Sequence, residues 1–192
     1  MRILCYGDSN TFGCDPRSYF ADRYDRENRW TDLLAAYTHW EVINEGCNGR
    51  QVPRDCRDLS LLSEHAPVDL MLIMLGTNDL LQGRSAEDTA RQMARFLDAL
   101  IPHCQVLLVA PPAMARGAWV PSEDLIAESL RLAEEYARLA HSRGIPFVSA
   151  AHWSIPLAFD GVHFTEDGHH RFARCLKEAF EKIFFPLDSH PA

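Results

Sequence analysis

The chain has 192 residues, and its 19 lysine and arginine residues against 27 aspartate and glutamate residues give a formal charge of −8. That length fits a single domain, which we expect over residues 1–192. The 47% of hydrophobic residues excludes a disordered chain, and the acidic balance argues against a protein that binds nucleic-acid phosphates.

The sequence also argues against a membrane or secreted protein. A membrane helix needs about 20 apolar residues, whereas the densest apolar run, Leu70–Leu75, is far shorter. The N-terminus lacks the apolar stretch of a secretory signal. Six cysteines match neither a disulfide scaffold nor a zinc site, so we expect reduced thiols in a cytoplasmic protein; they are Cys5, Cys14, Cys47, Cys56, Cys104 and Cys175.

Apolar runs typical of strands alternate with helical patterns along the chain. The predicted strands, in chain order, are Arg2–Tyr6, Trp40–Ile43, Val68–Leu75, Gln105–Ala110 and Pro146–Ser149. Helices are predicted over residues 30–37, from a cap at Ser85 to residue 101, from about Ser122 to Arg143, and from about Thr165 onwards. This alternation predicts a mostly parallel sheet with helices on both faces.

Polar residues follow the predicted strands where an open α/β sheet binds its ligands. Gly7–Thr11 follows the first strand, Asn44–Gly49 the second and Gly76–Asp79 the third, while Asp160–His163 precedes the last helix. These segments supply a serine hydroxyl, an imidazole, a carboxylate and several amides. Such a set predicts acyl transfer through a serine ester.

Each step of that chemistry has a candidate residue. Ser9 is the candidate nucleophile, which needs a base near neutral pH, and His163 is a suitable one. Asp160, three residues before it, can orient the imidazole. The backbone N–H groups of Ser9 and Gly49 and the side-chain amide of Asn78 are candidates for an oxyanion hole.

Other interpretations of these residues stay open. Gly7–Ser9 and Gly76–Asp79 are each also typical of capped turns. Cys5 is a second candidate nucleophile, and the sheet could instead bind FMN, although Gly7–Asn10 lacks a phosphate cradle. Asp160 and His163 could belong to a metal cluster with Asp167, His169 and His170. The two adjacent histidines point to different sides of a helix, so we expect no metal and no cofactor.

Taken together, the four segments resemble the SGNH-hydrolase (GDSL-type esterase) superfamily. Its four blocks are similar to Gly7-Asp8-Ser9, Asn44-x-Gly46-x-x-Gly49, Gly76-x-Asn78-Asp79 and Asp160-x-x-His163. The resemblance implies a flavodoxin-like three-layer α/β/α sandwich with a five-stranded parallel sheet. It also implies that Ser9 is the nucleophile and His163 the base, with Ser9, Gly49 and Asn78 in the oxyanion hole. Asn10 departs from the name-giving motif, which has leucine there.

Four longer segments resemble the arylesterase/acyltransferase branch: Arg2–Ser9, Arg29–Thr31, Ile73–Asp79 and Asp160–Thr165. That branch accepts small acyl groups, sometimes transfers them to alcohols or peroxide, and often forms oligomers. We therefore expect a serine esterase for short-chain acyl or aryl esters, with an acyl-enzyme on Ser9. A carbohydrate O-deacetylase or thioesterase with the same triad, and a non-catalytic binding module on the same fold, stay open.

The substrate pocket is predicted from apolar residues near the four segments. Phe12, Met114, Trp119 and Phe159 are the candidate substrate-binding residues. The expected partner is a small-molecule ester, with neither nucleic acid nor membrane, and a homo-oligomer stays open. Residues 15–28 predict an irregular excursion over the site or an oligomer contact, too polar for the core.

Overall fold

The computed structural model describes residues 1–18, 20, 22–54 and 60–185. One sheet of five parallel strands contains β1 (Arg2–Gly7), β2 (Glu41–Gly46), β3 (Leu70–Met74), β4 (Val106–Ala110) and β5 (Phe147–Ser149). Their order is β2-β1-β3-β4-β5, the flavodoxin-like order, and the predicted fold class is confirmed. The strand order reverses between β1 and β3, so a crevice for a ligand is expected at their carboxyl ends.

Helices cover both faces of this sheet. Within the described part of the chain they are α1 (Ser9–Phe12), α2 (Trp30–Thr38), α3 (Ser60–Glu64), α4 (Thr77–Leu81), α5 (Ala86–Leu100), α6 (Glu123–Arg143) and α7 (Glu166–Phe184). The four predicted helices correspond to α2, α5, α6 and α7. The sequence did not predict α1, α3 and α4, because helices of four or five residues are too short to show a 3.6-residue period.

Side-chain caps fix where the long helices begin. The Ser85 hydroxyl accepts a hydrogen bond from the Asp88 amide at the start of α5, and Thr165 does the same for Gly168 in α7. Gly144, in the left-handed region at φ +62°, ends α6. These caps place the first turn of α7 directly after the segment that contains His163.

The core consists of two apolar layers, one on each face of the sheet. Alternate residues of β1 divide between them: Leu4 and Tyr6 face one layer, and Ile3 and Cys5 face the other. The first layer is filled from α5 and α6, for example by Met93, Phe96, Leu97, Leu132 and Tyr136. The second is filled from α2 and α7 by Trp30, Leu34, Phe172, Leu176 and Phe180.

The excursion at residues 15–28 differs from its prediction in one respect. Cys14 and Arg23 pair as an antiparallel bridge, so the segment returns to its starting point. Tyr24 is buried, with 7% of its surface exposed, and the prediction that this segment is too polar for the core is wrong there. Its ring lies edge-on to His169, at a centroid distance of 5.3 Å, because the returning chain packs on the first turn of α7. Residues 19 and 21 lie outside the described part.

Among the described residues, no helix combines the length and the apolar character that crossing a bilayer requires. The cysteines at positions 5, 14, 47, 104 and 175 are free thiols. Cys56 lies outside the described residues.

Candidate active site

The end of β1 places Ser9 in the crevice. Asp8 caps α1, since its Oδ1 accepts a hydrogen bond from the Asn10 amide at 3.0 Å, and Ser9 is the first residue of that helix. A side chain at Gly7 has no room, because its Cβ would lie 2.0 Å from the Thr11 hydroxyl oxygen. The glycine therefore allows α1 to fold tightly against the strand that precedes it.

Three side chains form a continuous chain of hydrogen bonds in this crevice. The Ser9 Oγ lies 2.9 Å from His163 Nε2, and His163 Nδ1 lies 2.8 Å from Asp160 Oδ2. All three residues are buried. With the Nδ1 proton donated to Asp160, Nε2 is free to accept the proton of the serine hydroxyl. This is the arrangement that activates a serine as a nucleophile.

Asp160 is held as a carboxylate by its own turn. Its Oδ1 accepts hydrogen bonds from the backbone amides of Val162 and His163, both at 2.9 Å. Burial raises the pKa of this carboxyl, but the hydrogen bonds from the His163 side chain and from these two amides outweigh burial, and the pKa is lowered. The ionised form can stabilise a positively charged imidazole ring.

The Cys47–Arg50 loop and Asn78 lie against the end of β1. The Cys47 amide donates to the Gly7 carbonyl at 3.1 Å, and Asn78 Nδ2 donates to the Arg50 carbonyl at 3.1 Å. Gly49 adopts φ +74°, a conformation that favours glycine, and an added Cβ would have no neighbour within 4 Å. Asn78 Nδ2 carries two hydrogens, and within the described part of the chain one of them is used in the bond to Arg50.

Asp79 and Arg50 stiffen this loop, and sequence reasoning gave neither side chain a role. Asp79 is buried, with its carboxylate 2.6 Å from the Arg84 guanidinium and accepting a hydrogen bond from the Val52 amide at 3.0 Å. Arg50 donates to the Gly7 carbonyl at 3.0 Å and lies over the Tyr6 ring, 4.2 Å from its centroid. Apart from the local pair of Asp79 and Arg84, these contacts join residues at least 27 positions apart, and no local motif indicates them.

The four candidate pocket residues occupy different places. The Trp119 ring lies edge-on to His163 at a centroid distance of 5.0 Å, with 53% of the residue exposed. Phe159 is exposed and lines a surface cavity of about 380 Å³ beside Tyr24. Phe12 is half-buried under the Arg23 guanidinium. Met114 is not brought to the crevice surface, because it is buried in the apolar layer beneath α5 and α6.

The alternative metal and cysteine sites find no support in the geometry. His169 Nδ1 accepts a hydrogen bond from the Trp30 amide, and His170 lies 3.0 Å from the Asn28 side-chain oxygen. Within the described ranges, no three histidine, cysteine or acidic side chains are grouped as metal ligands. Cys5 is buried inside β1, where burial raises the pKa of its thiol far above the usual range.

Comparisons with known proteins agree with this geometry. The model of the GDSL-like lipase/acylhydrolase family matches residues 5–171. A putative arylesterase from Agrobacterium tumefaciens strain C58 is 32% identical, with a TM-score of 0.82 over 96% of this chain and 100% of its own. The native aryl esterase of M. smegmatis is 31% identical, with a TM-score of 0.82 over 95% and 99%.

A further similar structure is a carbohydrate acetylesterase family member from Sinorhizobium meliloti. It is 27% identical, with a TM-score of 0.82, over 94% of this chain and 98% of its own. No curated protein matches the sequence.

Proposed function

Because the chain belongs to the GDSL-like lipase/acylhydrolase family and is a carboxylic ester hydrolase, we propose that it cleaves short-chain acyl or aryl esters through an acyl-enzyme on Ser9. The observation that carries the proposal is the hydrogen-bonded chain from Ser9 Oγ through His163 to Asp160. Catalysis by this chain of groups needs neither a metal nor a cofactor.

The first half of the reaction forms the acyl-enzyme. Ser9 Oγ attacks the ester carbonyl carbon while its proton passes to His163 Nε2, and Asp160 stabilises the resulting imidazolium. The tetrahedral oxyanion accepts hydrogen bonds from the amides of Ser9 and Gly49 and from the free Nδ2 hydrogen of Asn78. As the intermediate collapses, the C–O bond breaks and the alcohol leaves with the proton from His163.

The second half repeats these steps with water. His163 removes a proton from a water molecule, which attacks the acyl carbon, and the released Ser9 oxygen takes the proton back. An alcohol in place of water would give a transferred ester instead of an acid. The exposed Trp119 ring beside His163 supports small or aryl substrates, since it offers an aromatic edge at an open site.

A carbohydrate O-deacetylase is the second candidate. The similarity to the Sinorhizobium meliloti structure supports it, because that protein is described as a carbohydrate acetylesterase family member. The same triad would serve both reactions, and only the alcohol that leaves would differ. Comparing phenyl acetate with an acetylated sugar as substrates, at equal enzyme concentration, separates the two candidates by kcat/KM.

The decisive experiment compares the wild type with Ser9→Ala. We expect the wild type to hydrolyse p-nitrophenyl acetate and to gain one fluorophosphonate label by intact mass, and Ser9→Ala to lose several orders of magnitude in turnover and to gain no label. Ser142→Ala is the matched control, since the Ser142 hydroxyl lies near the end of α6, where it donates to the Leu139 carbonyl and accepts from the Arg143 guanidinium. Turnover by Ser9→Ala at the wild-type rate would refute the proposed nucleophile.

A further inference from the structure

The side chain of Asn10 bridges the two peptide groups that flank His163. Its Nδ2 donates to the Val162 carbonyl at 3.0 Å, and its Oδ1 accepts from the Phe164 amide at 2.9 Å. Asn10 is buried, with 6% of its surface exposed. One planar amide therefore holds the backbone immediately before and immediately after the candidate base.

Asn10 is itself fixed in place beside the nucleophile. Its amide nitrogen donates to Asp8 Oδ1 at 3.0 Å, and its carbonyl accepts from the Trp30 indole at 2.9 Å. Both of these hydrogen bonds are buried. Because Asn10 directly follows Ser9 in α1, its bridge connects the segment that contains the nucleophile to the segment that contains His163.

We propose that Asn10 is a positioning residue for ester hydrolysis, which sets the distance between Ser9 Oγ and His163 Nε2 by clamping the backbone on both sides of His163. This inference rests on the proposed function, since the distance matters only if a proton passes between those two atoms. Small errors in the placement of reacting groups are costly, about 100-fold for a displacement of 1 Å.

The bridge requires a donor and an acceptor in one short planar side chain. Leucine has a similar size but leaves the Val162 carbonyl and the Phe164 amide without these partners. A protonated aspartic acid has the same shape and also offers one donor and one acceptor, whereas an ionised carboxylate offers only acceptors. Aspartate at this position would therefore rebuild the bridge only while it is protonated.

The first variant is Asn10→Leu. We expect kcat for p-nitrophenyl acetate at about pH 8 to fall at least about tenfold, with KM changed less than about threefold, because positioning affects the chemical step more than binding. Thr38→Val is the matched control. It also removes two hydrogen bonds to the backbone, with Leu34 and Trp40, but near the amino end of β2. It should lower the melting temperature and leave kcat within about twofold.

The second variant, Asn10→Asp, provides a readout that a merely structural role would not move. We expect its kcat, divided by the wild-type kcat at each pH, to rise at least about fivefold between about pH 8 and pH 5.5, as the introduced carboxyl becomes protonated. The same ratio for Asn10→Leu should stay flat over that range. Absorbance at the isosbestic wavelength of p-nitrophenol allows the release of product to be measured at every pH in this range.

The outcomes separate this inference from the proposed function. If Ser9→Ala is inactive while Asn10→Leu keeps kcat within about twofold of wild type, the positioning role of Asn10 is refuted and the serine mechanism stands. If the ratio of the Asn10→Asp kcat to the wild-type kcat does not change with pH, the positioning role of Asn10 is refuted as well. This second test is sufficient by itself if Asn10→Leu does not fold. An active Ser9→Ala instead removes the proposed function on which the clamp depends.

Discussion

Asn78 donates one hydrogen of its side-chain amide to the protein, and under the proposed mechanism the other hydrogen binds the oxyanion. Its Nδ2 donates to the Arg50 carbonyl at 3.1 Å, which orients the amide within the crevice. We expect Asn78→Ala to lower kcat about 100-fold with little change in KM, because an oxyanion donor acts mainly in the transition state.

Steady-state kinetics with p-nitrophenyl acetate would measure this effect. Asn28→Ala is a suitable control, because the Asn28 side chain contacts His170 on α7 rather than the crevice. Near-normal turnover by Asn78→Ala would remove Asn78 from the oxyanion hole.

Trp119 presents a half-exposed indole ring next to His163, with 5.0 Å between ring centroids. If this ring contacts an aryl group, Trp119→Ala should raise KM several-fold for phenyl acetate and much less for ethyl acetate, since aromatic pairs contribute about 0.5–1.5 kcal/mol. Trp119→Phe retains a ring and should recover most of the difference. Equal changes in KM for both esters would argue against a role in recognising the aryl group.

At the scale of elements, His169 joins α7 to α2. The ring is fully buried between Tyr24 and Phe164, and its Nδ1 accepts a hydrogen bond from the Trp30 amide at the start of α2. The pKa of His169 is lowered to about 3, mainly by burial, with the nearby His170, Arg29 and His163 acting in the same direction. The joint therefore depends on a neutral imidazole.

Because His169 is buried as a neutral imidazole, we expect the free energy of unfolding to fall as the pH falls. Above about pH 6.5 the imidazole is neutral in both the folded and the unfolded chain, and His169 adds no pH dependence. As the pH falls below 6.5, only the unfolded chain binds the proton, and stability is lost until the pH passes the folded pKa of about 3. Between pH 6.5 and 5 the loss is about 2 kcal/mol.

His169→Asn tests this, because the asparagine side-chain oxygen can replace Nδ1 as the acceptor but does not titrate. We expect the variant to be less stable than wild type at about pH 8, from lost ring packing, and to lose about 2 kcal/mol less on going to pH 5. Urea unfolding at the two pH values gives both quantities. Parallel losses in the two proteins would contradict a neutral buried His169.

The elements also show where sequence patterns stop being informative. The central strands were predicted to within two residues, because β3 and β4 are buried on both faces and appear as continuous apolar runs. At the edge of the sheet, β2 continues through Asn44, Glu45 and Gly46, none of which is apolar enough to indicate a strand, although the predicted strand ended at Ile43. An edge strand is only partly buried, so its apolar residues end before its backbone hydrogen bonds to the neighbouring strand do.

Across the whole molecule, Asp8 responds to pH in the opposite direction to His169. Burial raises the pKa of Asp8 to about 6, although the hydrogen bond from the Asn10 amide and the electrostatic effects of His163 and Arg50 lower it. Between about pH 6 and 3.8 the folded chain binds the extra proton, so stability rises as the pH falls. Above pH 6 the buried charge costs the fold about 3 kcal/mol.

Asp8→Asn removes that cost and keeps the cap of α1, since asparagine caps helices about as well as aspartate. We expect the variant to be more stable than wild type at about pH 7, by up to about 3 kcal/mol, and to lose this advantage by about pH 4. Denaturant unfolding at both pH values measures the difference. A variant less stable than wild type at pH 7 would show that the charge is compensated within the crevice.

Over the whole chain, the family, the enzyme class and the sheet could be predicted from the sequence, whereas the contacts that hold the site residues in place could not. The four polar segments appear in the sequence because each directly follows a strand or precedes α7. The contacts of Asn10 with Val162 and Phe164 cross more than 150 positions and have no local pattern. Sequence reasoning placed Met114 in the substrate pocket and Tyr24 outside the core from their polarity and position, whereas both are buried by the packing of neighbouring elements.

The nucleophile and the base of the triad lie far apart along the chain. Ser9 and His163 are 154 positions apart, and every strand of the sheet lies at or between the segments that contain them. During synthesis the hydroxyl leaves the ribosome long before its base does. Under the proposed mechanism, a nascent chain or a fragment that ends before Asp160 lacks both the base and its carboxylate and cannot cleave an ester. Esters therefore meet a working enzyme only after synthesis has passed His163 and the fold has closed.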